Sequence, residues 1–422
     1  MARLSGFLKR ESKLKPQAFI DLIFYAVSGK TSSLQQIAKE ASSEHSIVLS
    51  KQGLDNRFSE TSVQFSKLLL EDVIANQLMS DQTFSTLDIF NQVKIKDSTK
   101  FNIDDSFKDE FPGSGGSGSS AGVSIQFEYD FKSGKITDID LQAEKCNDSK
   151  DASSKSEQIQ RRDLIMRDLG YYSDKVIETI VKKEAFYLSR LCHSSNVFEK
   201  ENSTEPIDFN KHYAKMKSAG ILYQEMNVYL GLKKIPTRLV FSLLPENVYE
   251  KRVRTREKTN KKRKQQTTDK FKGRAHFNLF ITNIPQEKIT KEAICKLYRI
   301  RWQVELIFKT WKSLFKINKF QKMNRNRFLT TLYVNLMWIA VNWGIFYPFF
   351  KYQFIYKNQL TSIFKCMNTL ISFSIIIRQM MQLTKVQMGK TIRYIYEILS
   401  NGHKLEKRKD RCHFEEIITL LV

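Results

Sequence analysis

The segment of residues 164–189 limits the fold of this chain more narrowly than any other. An apolar strand at residues 164–168 leads to a turn at Gly170, a helix that Ser173 can cap, and a second strand at residues 185–189. Strands that alternate with a helix over so short a distance are typical of a parallel sheet covered by helices. The chain is therefore predicted to have an α/β core.

Two further strand patterns precede this segment. Residues 93–97 alternate apolar residues with lysines and end at Asp97. Residues 123–131 also alternate, and a turn at Ser133 and Gly134 connects them to residues 136–141. We expect one strand that ends at Asp97 and a separate β-hairpin.

Residues 191–287 interrupt the α/β pattern. Residues 223–232, 237–244 and 276–282 are typical of strands and predict a β-rich insertion. Between the second and third of these strands, residues 251–274 contain twelve Lys and Arg but only two acidic residues. We expect this basic run to be a solvated, mobile loop, which could become ordered on DNA phosphates.

The two ends of the chain have helical patterns. In residues 1–85, Ser50 can cap a helix that follows another helix, which resembles a helix-turn-helix. An ordinary helical subdomain explains this pattern equally well. Residues 328–350 are strongly apolar but contain Asn335 and Asn342, which favours a buried core helix over a membrane span.

The charge of the chain limits the partners that it can have. Its 422 residues include 69 Lys and Arg against 45 Asp and Glu, a formal net charge of +24. Such an excess favours a polyanion, because phosphate contacts release counterions from nucleic acid. The five cysteines lie singly, which argues against a zinc module or a disulfide scaffold and fits a reducing, cytoplasmic environment.

An unusual set of side chains follows the insertion. On a helix, Tyr298, Arg301, Glu305 and Lys312 fall within an arc of about 60°. Glu305 is also the only acidic residue at positions 293–396. A lone carboxylate beside phosphate-binding side chains predicts a metal ligand at a nucleic-acid site.

Strand ends offer the other carboxylates that metal-dependent phosphoryl transfer needs. Such chemistry uses hard oxygen ligands that converge from different elements of the fold. Asp97 and Asp168 both end predicted strands, where acids of an α/β core are well placed for a site. Asp104 or Asp105 could replace the first, and Asp163 could replace the second.

These residues match a known pattern. The spacing Tyr298-x2-Arg301-x3-Glu305-x6-Lys312 resembles the YREK signature of the insertion-sequence-four family of bacterial transposases. Two segments are similar to the aspartate motifs of that family: Asp97-Ser98-Thr99 and Asp168-Leu169-Gly170-Tyr171.

The resemblance implies an α/β fold with an RNase H-like catalytic core. A β-rich insertion would interrupt this core between the second aspartate and the glutamate, and helical regions would lie at both ends. The predicted segments are an N-terminal DNA-binding domain at 1–85, the first part of the core at 86–190, the insertion with its basic loop at 191–287, the second part of the core at 288–350, and a C-terminal region at 351–422.

The resemblance also implies the residues of the site. Asp97, Asp168 and Glu305 would form a DDE triad that binds two Mg²⁺ ions, with Mn²⁺ able to substitute. Tyr298, Arg301 and Lys312 would contact the DNA backbone near the cut.

The implied function is cut-and-paste DNA transposition. The expected partners are double-stranded DNA, as the terminal inverted repeats of the element and as target DNA, and a second copy of the chain on paired ends. No membrane is expected, and the protein would act in the bacterial cytoplasm at the nucleoid. The alternatives are an RNase H-like nuclease without strand transfer and a non-catalytic DNA-binding protein.

Overall fold

The computed structural model describes residues 1–30, 33–77, 87–115, 119–380 and 383–405. They form two compact units. The first unit holds the described residues of 1–82, 98–145 and 304–412, and the second holds those of 83–97 and 146–303. The five predicted domains follow other boundaries and stay a prediction. The boundary at residues 85 and 86, and residues 406–422, lie outside the described residues.

The described strands form one mixed sheet. They are β1 (Val93–Asn102), β2 (Gly122–Asp130), β3 (Ile136–Ala143), β4 (Leu164–Arg167), β5 (Phe186–Arg190), β6 (Val197–Phe198), β7 (Tyr223–Leu230), β8 (Ile235–Leu243) and β9 (Phe277–Thr282). The strand order is β1-β4-β5-β9-β8-β7-β6 in the second unit and β3-β2-β1 in the first. Strand β1 contributes residues 93–97 to the second unit and residues 98–102 to the first.

The described α-helices occur between and after these strands. They are α1 (Pro16–Tyr25), α2 (Leu34–His45), α3 (Lys51–Asp55), α4 (Glu60–Ala75), α5 (Asp148–Ser154), α6 (Asp174–Lys182), α7 (Phe209–Ser218), α8 (Glu246–Lys262), α9 (Asp269–Ala275), α10 (Lys291–Leu297), α11 (Gln303–Ser313), α12 (Arg325–Lys357), α13 (Ile363–Ser372), α14 (Ser374–Met380) and α15 (Lys385–Ser400). The α/β class predicted from the sequence is confirmed.

The parallel part of the sheet lies in the second unit. Strand β4 pairs in parallel with β1 on one side and with β5 on the other. Helix α6 connects β4 to β5, and the Ser173 hydroxyl accepts a hydrogen bond from the Val176 amide at its start. Strand, turn, capped helix and strand therefore follow one another as the sequence predicts.

The strands of the predicted insertion extend this same sheet. Strand β9 pairs antiparallel with both β5 and β8, and β7 pairs with β8. The expectation of a mobile basic loop is wrong, because most of residues 251–274 form α8 and α9. Arg252 explains part of this order, since its guanidinium donates to the Phe277 carbonyl at 2.8 Å and to the Asn278 side chain at 2.7 Å.

Strand β1 departs from its alternating pattern. Lys94 and Lys96 are buried, as are Val93 and Ile95 with which they alternate. Lys94 pairs with Asp163 at 2.8 Å, and Lys96 pairs with Asp151 at 2.5 Å. Both carboxylates are fully buried as well. A charge can be buried when an opposite charge accompanies it, so these partners allow both faces of β1 to be covered.

The first unit is built around α12. This helix is long and apolar enough to span a membrane by length and composition, but 78% of its apolar window is buried. It carries the run of residues 328–350, so the predicted core helix is confirmed. The Trp343 indole donates to the Gly134 carbonyl at 2.7 Å, which fastens α12 to the β2–β3 hairpin. Gly134 has a φ of 78°, and a Cβ there would overlap the Tyr347 ring.

The N-terminal helices belong to the same unit. The Ser50 hydroxyl caps α3 by accepting from the Gly53 amide, as predicted. Asp21 of α1 accepts from Arg378 of α14 at 2.8 and 2.9 Å and lies 3.0 Å from His45 of α2. These contacts join the N-terminal helices to the C-terminal ones. A base-reading role for α2 and α3 stays a prediction.

Candidate active site

The register of β1 on β4 brings the two aspartates together. The parallel pairing runs from Val93 with Leu164 to Lys96 with Arg167. Asp97 and Asp168 follow directly, as the next pair in that register. Neighbouring strands lie about 5 Å apart, and residues in register on parallel strands point to the same face. The two carboxylates are therefore neighbours in the second unit.

Asp97 does not end its strand, which corrects the sequence-based expectation. Strand β1 continues to Asn102. What ends near Asp97 is the pairing with β4, because β4 stops at Arg167. The later residues of β1 belong to the first unit, where β2 is the neighbouring strand. Strand β1 can continue beyond the end of β4 because β2 is its neighbour on the other side.

Arg301 lies between the two aspartates. Its Nη1 is 2.9 Å from Asp97 Oδ2, and its Nη2 is 3.9 Å from Asp168 Oδ1. The side chain of Asp168 is 47% exposed, while that of Asp97 is 19% exposed. One guanidinium thus offsets the repulsion between two carboxylates, and one side of this cluster is open to solvent.

The Tyr298 ring packs against the Arg301 guanidinium. Its centroid lies 5.7 Å from the guanidinium carbons of Arg301 and Arg190 and 5.1 Å from the Phe280 ring. Burial raises the pKa of the Tyr298 hydroxyl, and the two arginines partly offset this rise. The phenol therefore stays protonated at neutral pH and can donate a hydrogen bond.

The helix expected through residues 298–312 is divided in two, which is a second correction. Residues Tyr298–Trp302 form a 3-10 helix, and α11 begins at Gln303. In a 3-10 helix, residues three apart eclipse one another. This geometry places Arg301 over Tyr298 and turns its guanidinium toward the aspartates of the second unit.

Glu305 and Lys312 lie on α11 in the first unit. Glu305 is exposed in the first turn, where the helix dipole favours a negative charge. Lys312 is partly buried and donates to the Lys100 carbonyl of β1 at 2.9 Å. Burial lowers the pKa of its ammonium.

The aspartate pair has the donor chemistry of a divalent-metal site. Nowhere in the described ranges do three His, Cys, Asp or Glu side chains already form a metal-binding group. Asp97 and Asp168 nevertheless direct their carboxylate oxygens toward one positive charge, the Arg301 guanidinium. Carboxylate oxygens are hard ligands. Such oxygens suit Mg²⁺ or Mn²⁺. The structure thus gathers Asp97, Asp168, Arg301 and Tyr298, and the place of Glu305 as third ligand stays a prediction.

The rival carboxylates have structural partners. Asp104 accepts from the amide and hydroxyl of Ser106, and Asp105 accepts from Ser119 and Ser120. These hydrogen bonds hold the pKa of both carboxyls below the usual range. They order a surface turn, which accounts for both residues without a role in chemistry.

Asp163 is equally well explained. It is fully buried, pairs with Lys94, and accepts from the Asn91 side chain and the Gln160 amide, each at 2.9 Å. Its oxygens stabilise the start of β4 and have little room for another ligand.

Sequence reasoning missed Arg190 as a neighbour of the site. It is the last residue of β5, and its guanidinium shares the Tyr298 ring with Arg301. The sequence did carry one signal, because Arg190 directly follows the strand predicted at residues 185–189, close to the strand end where side chains of a site are expected.

A mixed sheet that places adjacent carboxylates on parallel strands, with cationic side chains beside them, is typical of metal-dependent enzymes of nucleic-acid phosphoryl transfer. Residues 89–341 match the family model described as the transposase DDE domain. This match covers more than half of the chain, and the chain belongs to that family. The prediction of a DDE transposase is thereby confirmed.

Individual relatives agree with this assignment. The chain is 29% identical over 438 residues to the transposase for insertion sequence element IS231F of Bacillus thuringiensis subsp. israelensis, covering 98% of this chain and 91% of the relative. It is 29% identical over 357 residues to the transposase for IS1151 of Clostridium perfringens, covering 80% and 75%. It is 23% identical over 348 residues to the transposase for IS421 of Escherichia coli, covering 80% and 86%.

Proposed function

We propose that this chain catalyses cut-and-paste transposition of an insertion sequence on an RNase H-like core. It would hydrolyse the phosphodiester at the element end, and the freed 3′ hydroxyl would then attack another phosphodiester, first in the opposite strand or directly in target DNA. The observation that carries the proposal is the neighbouring pair Asp97 and Asp168, held around one cationic side chain. Family membership supports the same chemistry.

Asp97, Asp168 and Glu305 would hold two divalent ions, Mg²⁺ or in its place Mn²⁺. Bound there, such ions would stabilise the attacking and leaving oxygens of an in-line displacement. Arg301 would offer its planar donors to a phosphate, and Lys312 would offer a point charge. The buried Tyr298 would hold the Arg301 guanidinium in its orientation and could donate its hydroxyl to the same phosphate.

The expected substrates are the terminal inverted repeats of the element and a target duplex. Two copies of the chain would act on paired ends in the bacterial cytoplasm. The nucleoid there would provide both the terminal repeats and the target duplex. The relatives named above are transposases for insertion sequence elements, which supports this substrate class.

Joining of pre-cut ends tests the proposal. Purified protein, a duplex of the element end with a free 3′ hydroxyl, and supercoiled plasmid are expected to give joined products in Mg²⁺ or Mn²⁺. The same duplex with a 3′-dideoxy terminus should give none, because it lacks the attacking oxygen. Cleavage without joining would instead support the nuclease, and binding without cleavage would support a non-catalytic DNA-binding protein.

The DNA contacts of Arg301 and Lys312 can be measured separately. Replacing either residue by Ala should weaken binding of the end duplex and reduce the slope of log K against log salt by about 0.9, the value for one lost phosphate contact. Arg299→Ala is the matched control, since Arg299 is an exposed arginine in the same 3-10 helix. Equal slopes for Arg301→Ala and wild type would exclude a phosphate contact by Arg301.

A further inference from the structure

Helix α8 has a basic face that the candidate active site does not use. At about 100° per residue, Lys251, Arg254, Lys258, Lys261 and Lys262 fall within an arc of roughly 100°. All five are exposed. We refer to these five residues as the α8 basic stripe.

The acidic residues of α8 border this stripe along one edge only. Glu246, Glu250 and Glu257 fall within an arc of roughly 40° at one edge of the exposed face. A helix with a merely solvated surface usually mixes the two signs in i,i+4 pairs. In α8, Glu250 and Arg254, and Glu257 and Lys261, have this spacing, but among the described residues only the first pair forms an ion pair, at 3.5 Å and exposed. Exposed pairs of this kind are weak.

The remaining side of α8 fixes the direction in which the stripe faces. Tyr249 stacks on the His276 ring with centroids 3.8 Å apart. Arg252 is bonded to β9, and the Arg256 guanidinium lies over the Phe271 ring of α9 at 5.3 Å. Asn260 is buried. These contacts anchor α8 to its own unit by one side and leave the stripe exposed to solvent on the other.

The stability of the helix does not explain the stripe. Basic residues in the last turn favour the helix dipole, which accounts for Lys261 and Lys262. Lys251 and Arg254 are too far from that end to benefit. Arg254, Lys258 and Lys262 also follow one another at i,i+4, where like charges repel. Glu250 and Glu257 offset this repulsion only along one edge, so the stripe keeps an excess of positive charge that a negatively charged partner would neutralise.

The spacing of the stripe fits a DNA backbone. Lys251 and Lys262 are eleven residues apart, or roughly 16 Å along the helix. One DNA strand carries a phosphate about every 3.4 Å of its axis. Steps of four residues advance about 6 Å along the helix, which is close to the spacing of every second phosphate. Four of the five residues are lysines, which bind phosphate as point charges and suit contacts without a base preference.

We propose that the α8 basic stripe binds the phosphate backbone of duplex DNA, independently of sequence. The proposal rests on the proposed function for the nature of the polyanion. Its partner is the duplex near the cleaved end or the target, and the contact adds affinity without contributing to the chemistry.

Equilibrium binding in EDTA tests the stripe without any need for cleavage. The variant Lys251→Gln, Arg254→Gln, Lys258→Gln and Lys262→Gln should reduce the slope of log K against log salt by as much as about 3–4, at about 0.9 per lost contact. The loss should be equal for the end duplex and for a random duplex. Circular dichroism and the melting temperature would show that the variant remains folded.

A control with the same change of charge separates a contact from net charge. Lys175, Lys182, Lys211 and Lys215 are exposed lysines of α6 and α7, and their replacement by Gln removes the same four charges. A slope near that of the wild type is expected for this control. An unchanged slope in the stripe variant, or an equal fall in both variants, would overturn the stripe proposal alone. A wild-type protein that fails to bind DNA would overturn the proposed function.

Discussion

Replacing Asp97 by Asn is expected to abolish cleavage of the element end, with a loss in rate of at least about a thousandfold. Asn keeps the shape of the side chain and removes the negative charge that a divalent ion requires. Binding of the end duplex should remain near the wild-type level, because a lost carboxylate reduces repulsion of the phosphates. Cleavage of a labelled end duplex in Mg²⁺ or Mn²⁺, and its binding in EDTA, would be measured together.

The same result is expected for Asp168→Asn and Glu305→Gln. Asp104→Asn is the matched control, since Asp104 lies soon after β1 but only orders a turn. It should cleave as the wild type does. Cleavage at the wild-type rate by any of the three triad variants would remove that residue from the proposed site.

Replacing Asp151 by Ala is expected to lower the free energy of unfolding by about 3–5 kcal/mol. The change leaves the Lys96 ammonium fully buried without the carboxylate that lies 2.5 Å away. Lys155, which lies 3.5 Å from the other oxygen of Asp151, is also a cation and cannot compensate the Lys96 charge. Urea denaturation followed by circular dichroism would measure the shift in midpoint.

A double replacement separates the ion pair from its surroundings. Lys96→Met together with Asp151→Leu removes both charges and should recover most of the lost stability, because apolar residues of similar volume often replace a buried pair at little cost. Lys155→Met should change the midpoint much less. If Asp151→Ala lowered the free energy of unfolding by less than about 1 kcal/mol, the Lys96–Asp151 ion pair would not be what stabilises the buried Lys96 ammonium. Since Lys96 precedes Asp97, the pair also holds the strand that presents the first aspartate.

Much of the local structure could be predicted from the sequence. The caps at Ser50 and Ser173, the β2–β3 hairpin and the core helix α12 depend on side chains within a few residues of one another or on the period of apolar residues. The family pattern singled out Asp97 and Asp168, and the structure places these two side by side.

Other features could not be predicted, because their causes are distant in the chain. Lys96 can be buried because it forms an ion pair with Asp151, which lies on the later helix α5. Most of the basic run is helical rather than mobile, in part because Arg252 reaches the backbone of β9. In both cases a charged side chain that would ordinarily lie in solvent has a partner that only the tertiary fold brings close to it.

By itself, the sequence determined which residues are available for chemistry: two aspartates at the ends of strand patterns, and a Tyr, Arg, Glu and Lys at helical spacing. The tertiary structure decided that Asp97 and Asp168 are neighbours, through the parallel register of β1 on β4, and that Arg301 lies between them. The physical reason is that strand pairing and the sharing of one cation by two carboxylates join residues separated by 71 and 133 positions in the sequence. No local propensity carries information over such distances.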